Sequence, residues 1–236
     1  MTAENFRQEL KKLSNPNQAF ELQRFFKTGP GQYGEGDIFW GIKVPLTRNV
    51  VKKYRRMPLN EISKLITDPV HEVRMGGGFL LVECYKQADT AGKKACYDFY
   101  ISNASHFNNW DLVDMTCHHI VGDWLWDKDR KPLYKLAASE SLWEQRISII
   151  STFYFIRKDD FNDSFEIAKM LLNHKHDLIQ KAVGWMLREI GKRNPLAETE
   201  FLVENDRYMQ MPRTMLRYAI EKYPEKQRQA FLKGEF

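Results

Sequence analysis

A period of 35–36 residues runs through this chain and constrains its fold more than any other feature. Arg74 opens RMGGGFLLVECYKQ, Trp110 opens WDLVDMTCHHIVGDW, Arg146 opens RISIISTFYFIRK, Lys181 opens KAVGWMLREIGKR and Arg217 opens RYAIEKYP. Successive spacings are 36, 36, 35 and 36 residues. Ahead of several of these points lies an apolar stretch with a short polar break: LITDPVHEV, LAASESLWEQ and LLNHKHDLIQ. Within each unit, large apolar residues recur three and four apart, the helical period, and long period-two stretches are missing. Each unit therefore reads as helix, turn, helix, with the marked residue near the start of the second helix. A period of this size belongs to HEAT-type or TPR-type repeats, and the TPR pattern of Trp, Gly, Tyr and Pro at fixed offsets is not present. Paired helices of this kind cannot bury their faces alone. They are expected to stack as one all-α domain over 1–236, a right-handed superhelix of HEAT-like repeats with a concave basic groove. Its N-terminal helices and Gly-rich loop occupy about 1–58 and the repeats about 59–230.

The register also points to function. Equivalent positions on stacked second helices form a row, here Arg74, Trp110, Arg146, Lys181 and Arg217. One turn on, at i+4 and so on the same helix face, come Gly78, Asp114, Ile150, Trp185 and Glu221. Trp110, Asp114, Arg146 and Trp185 are thus expected to approach one another. The plain alternative for the cations is structural, an Arg or Lys that ties down the preceding turn, and beside Asp68 and Glu72 it is the better reading for Arg74. For Trp110 and Asp114 the plain alternative is a core aromatic and a helix-interior salt bridge. Asp is a poor interior residue, and Asn108, Asn109 and Asp111 are better placed to cap that helix, so Asp114 asks for a specific role.

Composition narrows the partners. Thirty-six Lys and Arg against 31 Asp and Glu leave a formal charge of +5, compatible with an anionic partner when arranged along one face. No apolar run approaches the ~20 residues of a membrane span, and the N-terminus reads as an amphipathic helix with no signal-peptide character. Cys84, Cys96 and Cys117 make no CxxC pair and suit a reducing cytosol, where thiols usually serve as small buried hydrophobes. A metal held by Cys117, His118 and His119 is disfavoured, because adjacent helical residues point about 100° apart.

Three segments carry a family resemblance: FNNWDLVD at 107–114, WEQR at 143–146 and IQKAVGWMLREIGKRNP at 179–195. They resemble the HEAT-like repeat DNA glycosylases, the AlkD branch of the AlkC/AlkD alkylation-repair family, over roughly Phe25 to Tyr223. KTGPGQYGEGDIFWGIKVP at 27–45 is similar to an N-terminal element common in that family. The resemblance implies hydrolysis of the N-glycosidic bond of cationic N3- and N7-alkylated purines in duplex DNA, without base flipping. It carries the family's Trp–Asp–Trp arrangement onto Trp110, Asp114 and Trp185, and its phosphate-binding Arg onto Arg146. Lys181, Arg217 and Lys43 are further candidate DNA contacts. Two positions depart from the family pattern: Lys43 stands where a Gln is usual, and Phe25 is the best match to a site-lining Tyr. A non-catalytic DNA-binding homologue, recognising unusual DNA structures, is the alternative.

The residues suit that chemistry. An alkylated purine is already a cationic leaving group and needs no general acid. A carboxylate such as Asp114 stabilises the oxocarbenium character of the sugar and positions a water. Indole faces favour cations, and a forked guanidinium suits phosphate. No cofactor is called for. The chain is expected to be a cytoplasmic, nucleoid-associated monomer.

Other motifs have plainer readings. GPGQYG at 29–34 matches GxGxxG but follows a helical stretch, so it reads as a loop between helices and not as a dinucleotide fingerprint. Gly76, Gly77 and Gly78 read as tight packing, with close approach of a DNA backbone as the alternative. Trp124, Trp126 and Trp143 read as packing, and His174 and His176 as turn residues. Lys192 and Arg193 suit either a helix C-terminus or phosphate.

Overall fold

The computed structural model describes all 236 residues, whose regular structure is helical, apart from one isolated parallel bridge between Ile38 and Val70. No helix is long and apolar enough to cross a membrane. The chain divides into two compact units, Met1–Thr116 and Cys117–Phe236.

The first unit contains α1 (Ala3–Lys11), α2 (Pro16–Phe25), α3 (Val44–Tyr54), α4 (Leu59–Ile66), α5 (His71–Gln87), α6 (Thr90–Ser102) and α7 (Trp110–Asp114). The second contains α8 (Asp123–Leu125), α9 (Lys131–Ala137), α10 (Leu142–Ser151), α11 (Phe153–Ile156), α12 (Asn162–Met170), α13 (Asp177–Arg193), α14 (Pro195–Val203), α15 (Arg207–Gln210), α16 (Arg213–Ala219) and α17 (Glu225–Lys233). The prolines mark where helices begin. Pro16 and Pro195 are first residues, Pro45 and Pro132 second residues, and Pro58, Pro212 and Pro224 N-caps. These are positions where the missing N–H costs nothing.

In the first unit α5 is the central post, buried on nearly every side. Its triple glycine makes that possible. A Cβ on Gly76 would lie 2.5 Å from the Phe6 ring, one on Gly77 3.0 Å from Leu65 Cβ, and one on Gly78 3.0 Å from Thr116 Cγ2. Three neighbours therefore close on one turn of α5, and the glycines serve helix packing.

Arg74 has the structural role its neighbours suggested and adds a partner from outside its own turn. It donates to the backbone carbonyls of Asp68 and Pro69 and to the carboxylate of Asp37, 37 residues upstream. Glu72 faces elsewhere: its buried carboxylate accepts the backbone N–H groups of Trp40, Gly41 and Ile42 at 2.8–3.1 Å. That clasp ties the glycine-rich segment 27–43, which is a loop between α2 and α3 as expected, to the first turn of α5. Gly41 lies at φ +79 with a Cβ position 2.1 Å from the Asn15 carbonyl, so no other residue fits.

In the second unit the second helices stack side by side, α10 against α13 and α13 against α16. Gly184 lets α16 approach α13: a Cβ there would lie 2.4 Å from the Met215 carbonyl oxygen, a backbone atom that cannot swing away. Gly184→Ala is expected to lower stability by about 1–3 kcal/mol through overpacking, read as a lower midpoint in a thermal melt.

Glu198 of α14 lies against the backbone of Gly191 and is 2 % exposed. Burial pushes its carboxyl up to about 8 from an ordinary 4.5, only partly offset by Tyr223 and Arg188. The raised value means the native state holds this proton more tightly than the unfolded chain. Its contribution is complete below pH 4.5 and is lost as pH rises through about 8. Glu198→Gln is expected to remove that slope and to melt a few degrees above wild type at pH 8.5, with no gain near pH 4. Melts across that pH range check it.

Candidate functional site

Trp110 is the first residue of α7, capped by Asn109, whose Oδ1 accepts the Trp110 N–H at 2.8 Å. The cap delays the helix start, so Trp110 stands at the lip of its helix. Arg146, Lys181 and Arg217, by contrast, are each the fifth residue of α10, α13 and α16. The indole stacks on Phe26 (5.2 Å, 17°), meets Phe25 edge-on (6.0 Å), and donates from Nε1 to the Tyr33 hydroxyl at 3.3 Å. These partners come from the end of α2 and from the loop that Glu72 holds. Phe25 is 64 % exposed, so this aromatic wall opens to solvent.

Beneath the wall lies a buried charge cluster with no counterpart in the sequence reading. His71 is 1 % exposed, with Nδ1 3.2 Å from Asp37 and Nε2 2.9 Å from Asp111. Asp37 also receives Arg74 and, at 3.3 Å, the side-chain amide of Asn109. Two carboxylates thus face two cations. Burial opposes a charged imidazole, but Asp111 and then Asp37 outweigh it and raise His71 to about 9, so the ring is a cation at neutral pH. Burial likewise works against the Asp37 carboxylate. His71 and Arg74 overcome it and hold its pKa below the ordinary value. Phe39 stacks on the imidazole at 4.5 Å. A mostly apolar cavity of about 340 Å³ lies between, lined by Phe26, Phe39, Ile42, Lys43, Trp110 and Met115 and floored by His71 and Asp111.

Asp114 is the last residue of α7, one turn after Trp110 and half-buried. It does not occupy a regular helix interior: α7 has five residues, and a π-helical turn at His118–Gly122 follows before α8. Asp114 therefore ends a short helix, a position that Asp tolerates without a special role. The i, i+4 relation to Trp110 stands.

In the second unit Trp185 is half-buried on α13, its Nε1 donating to Glu189 at 3.0 Å and its ring 5.9 Å from Phe153. Lys181 pairs with Asp177 at 2.8 Å, and Arg217 is exposed. Arg146 is 5 % exposed and donates to the carbonyl of Leu178, in the first turn of α13. A guanidinium so placed is engaged by the next helical pair, which sequence spacing could not distinguish from phosphate binding. Lys43 caps α3 at the surface. Lys192 and Arg193 end α13 and pair with Glu189 and Asp159.

The sequence reading named Asn109 among the cap candidates but missed Asp37, His71, Glu72 and Asp111 as buried, paired groups. The available signal was local: His71, Glu72 and Arg74 are three ionisable residues ahead of the apolar, glycine-containing run 75–82. Such residues must find partners when buried.

Comparisons with known proteins agree with this architecture. A solved protein from Enterococcus faecalis, described as a predicted DNA alkylation repair enzyme, superposes with a TM-score of 0.67 at 18% sequence identity. The match covers 90% of this chain and 97% of that one, and at that identity it speaks to the fold alone. No curated protein matches the sequence. The family model for DNA alkylation repair enzymes matches residues 6–223. That span is nearly the whole chain, and the protein belongs to the DNA alkylation repair enzyme family.

Proposed function

We propose that this protein is a monofunctional DNA glycosylase of the HEAT-like, AlkD type, hydrolysing the N-glycosidic bond of cationic N3- and N7-alkylated purines in duplex DNA. The observation that carries the reading is the pairing of Trp110 and Asp114 on one short helix, above a charge-balanced, fully buried platform. An indole backed by Phe26 and anchored to Tyr33 presents a fixed electron-rich face, which attracts a cationic base or sugar. Asp114, one turn along, supplies the negative charge that grows in value as the sugar gains oxocarbenium character. The same carboxylate orients the attacking water. The alkylated base leaves neutral, so no general acid is required. The family resemblance assigns Trp185 the role of a second aromatic wall in this reading.

Phosphate contacts are assigned to the solvent-reaching cations Lys43, Lys181 and Arg217. Arg146 contributes positive potential from beneath the surface, and the duplex is gripped as a monomer without extrusion of the base. With about three phosphates neutralised, log K should fall against log salt with a slope near −3. Arg217→Ala should flatten that slope by about one unit, measured by fluorescence anisotropy on an undamaged duplex. A slope unchanged by Arg217→Ala would remove that residue from the interface.

The activity is tested by incubating methylated duplex DNA with the protein and analysing the released bases. N7-methylguanine and N3-methyladenine are expected in solution, and the uncharged O6-methylguanine is expected to stay in the DNA. Release of O6-methylguanine at a similar rate would contradict a mechanism that relies on a cationic leaving group. Salt-sensitive binding without release of any base would select a non-catalytic DNA-binding protein.

A further inference from the structure

The first unit holds a pair of thiols that the proposed repair chemistry does not use. Cys84 is in the last turn of α5 and Cys96 in the middle of α6, helices joined by Ala88 and Asp89 alone. Their sulfur atoms lie 3.6 Å apart. Cys96 is 1 % exposed, whereas Cys84 is half-buried and reaches solvent. The third cysteine, Cys117, is fully buried.

We propose that Cys84 and Cys96 are a redox-modification site, a dithiol that hydroperoxides convert into an intramolecular disulfide bridging α5 and α6. The two positions divide the work. Cys84, the one an oxidant can reach, is the attacking thiol, and Cys96, directly behind it, is the resolving one. The hydrogen bond from Cys96 brings the Cys84 thiol down to about 7, while the same contact and burial push Cys96 up. A thiol whose pKa is near ambient pH is the better nucleophile.

The steps balance. The Cys84 thiolate attacks one peroxide oxygen and the O–O bond breaks. The other oxygen leaves as alkoxide or hydroxide and takes a proton, and Cys84 becomes a sulfenic acid. The Cys96 sulfur then attacks the Cys84 sulfur, the S–O bond breaks, and water leaves with the Cys96 proton. Two electrons pass from the sulfurs to the peroxide. Sulfenic acids with a thiol at hand condense in this way before further oxidation. A dithiol reductant reverses the reaction by exchange.

The test uses the full chain treated with a small excess of hydrogen peroxide, then denatured and alkylated. Three thiols per chain before treatment should fall to one, at Cys117, with the mass lower by two hydrogens and a Cys84–Cys96 cross-link in the peptide map. Dithiothreitol should restore all three. In Cys96→Ser, dimedone should trap a sulfenic acid at Cys84, and in Cys84→Ser, Cys96 should stay reduced. A sulfinic acid at Cys84 with Cys96 still free, a dimer linked between chains, or retention of all three thiols would each overturn the proposal.

Discussion

Asp114→Asn is expected to slow excision of N7-methylguanine by about 10²–10³-fold, the cost typical of removing one well-placed electrostatic group from a transition state. Duplex affinity and melting temperature should stay near wild type. The amide keeps the size and hydrogen-bonding reach of the carboxylate and loses only its charge, and that charge matters most once the sugar becomes cationic. The loss should therefore appear in kcat with little change in KM. If Asp114 served only as an ion-pair partner, the variant would melt lower and excise normally. Single-turnover rates with a parallel thermal melt separate the two outcomes.

Asp37→Ala is expected to give the largest loss of stability, about 3–5 kcal/mol, because it leaves Arg74 and His71 buried without their shared carboxylate. In a chain of this size that lowers the midpoint by roughly 10 °C. A control defines the scale: Asp98→Ala removes an exposed pair with Lys94 and should cost less than about 1 kcal/mol. Asp37→Ala should also weaken excision at temperatures where it remains folded, since the loop carrying Tyr33 loses one of its ties to α5. Equal melting temperatures for the two variants would mean that the cluster does not hold the loop.

The helical repeat was legible because it is periodic. The spacing from Arg146 to Lys181 to Arg217 placed each at the fifth residue of a stacked second helix. Trp110 broke that register because Asn109 caps late, and a cap is decided by one side chain that a period does not reveal. Arg146 was legible in position but not in partner. A basic residue at that register serves a carbonyl of the next pair or a phosphate equally well on paper, and the structure gives it Leu178. The platform under Trp110 was not legible. Its members Asp37, His71 and Asp111 lie 34 and 40 residues apart, and Asp37 sits on a glycine-rich loop with no periodicity. The Cys84–Cys96 pair was hidden for a related reason: twelve residues separate them, and only the turn at Ala88 and Asp89 brings α6 back along α5.

The central claim is that this chain breaks the N-glycosidic bond of a cationic purine inside duplex DNA. The most direct measurement is single-turnover incubation of the wild-type protein with an end-labelled duplex carrying one N7-methylguanine, followed by alkali and strand analysis. Cleavage at the lesion alone, time-dependent and absent from an unmodified duplex, is the predicted result. A strand that stays intact while the protein binds the same duplex would contradict it.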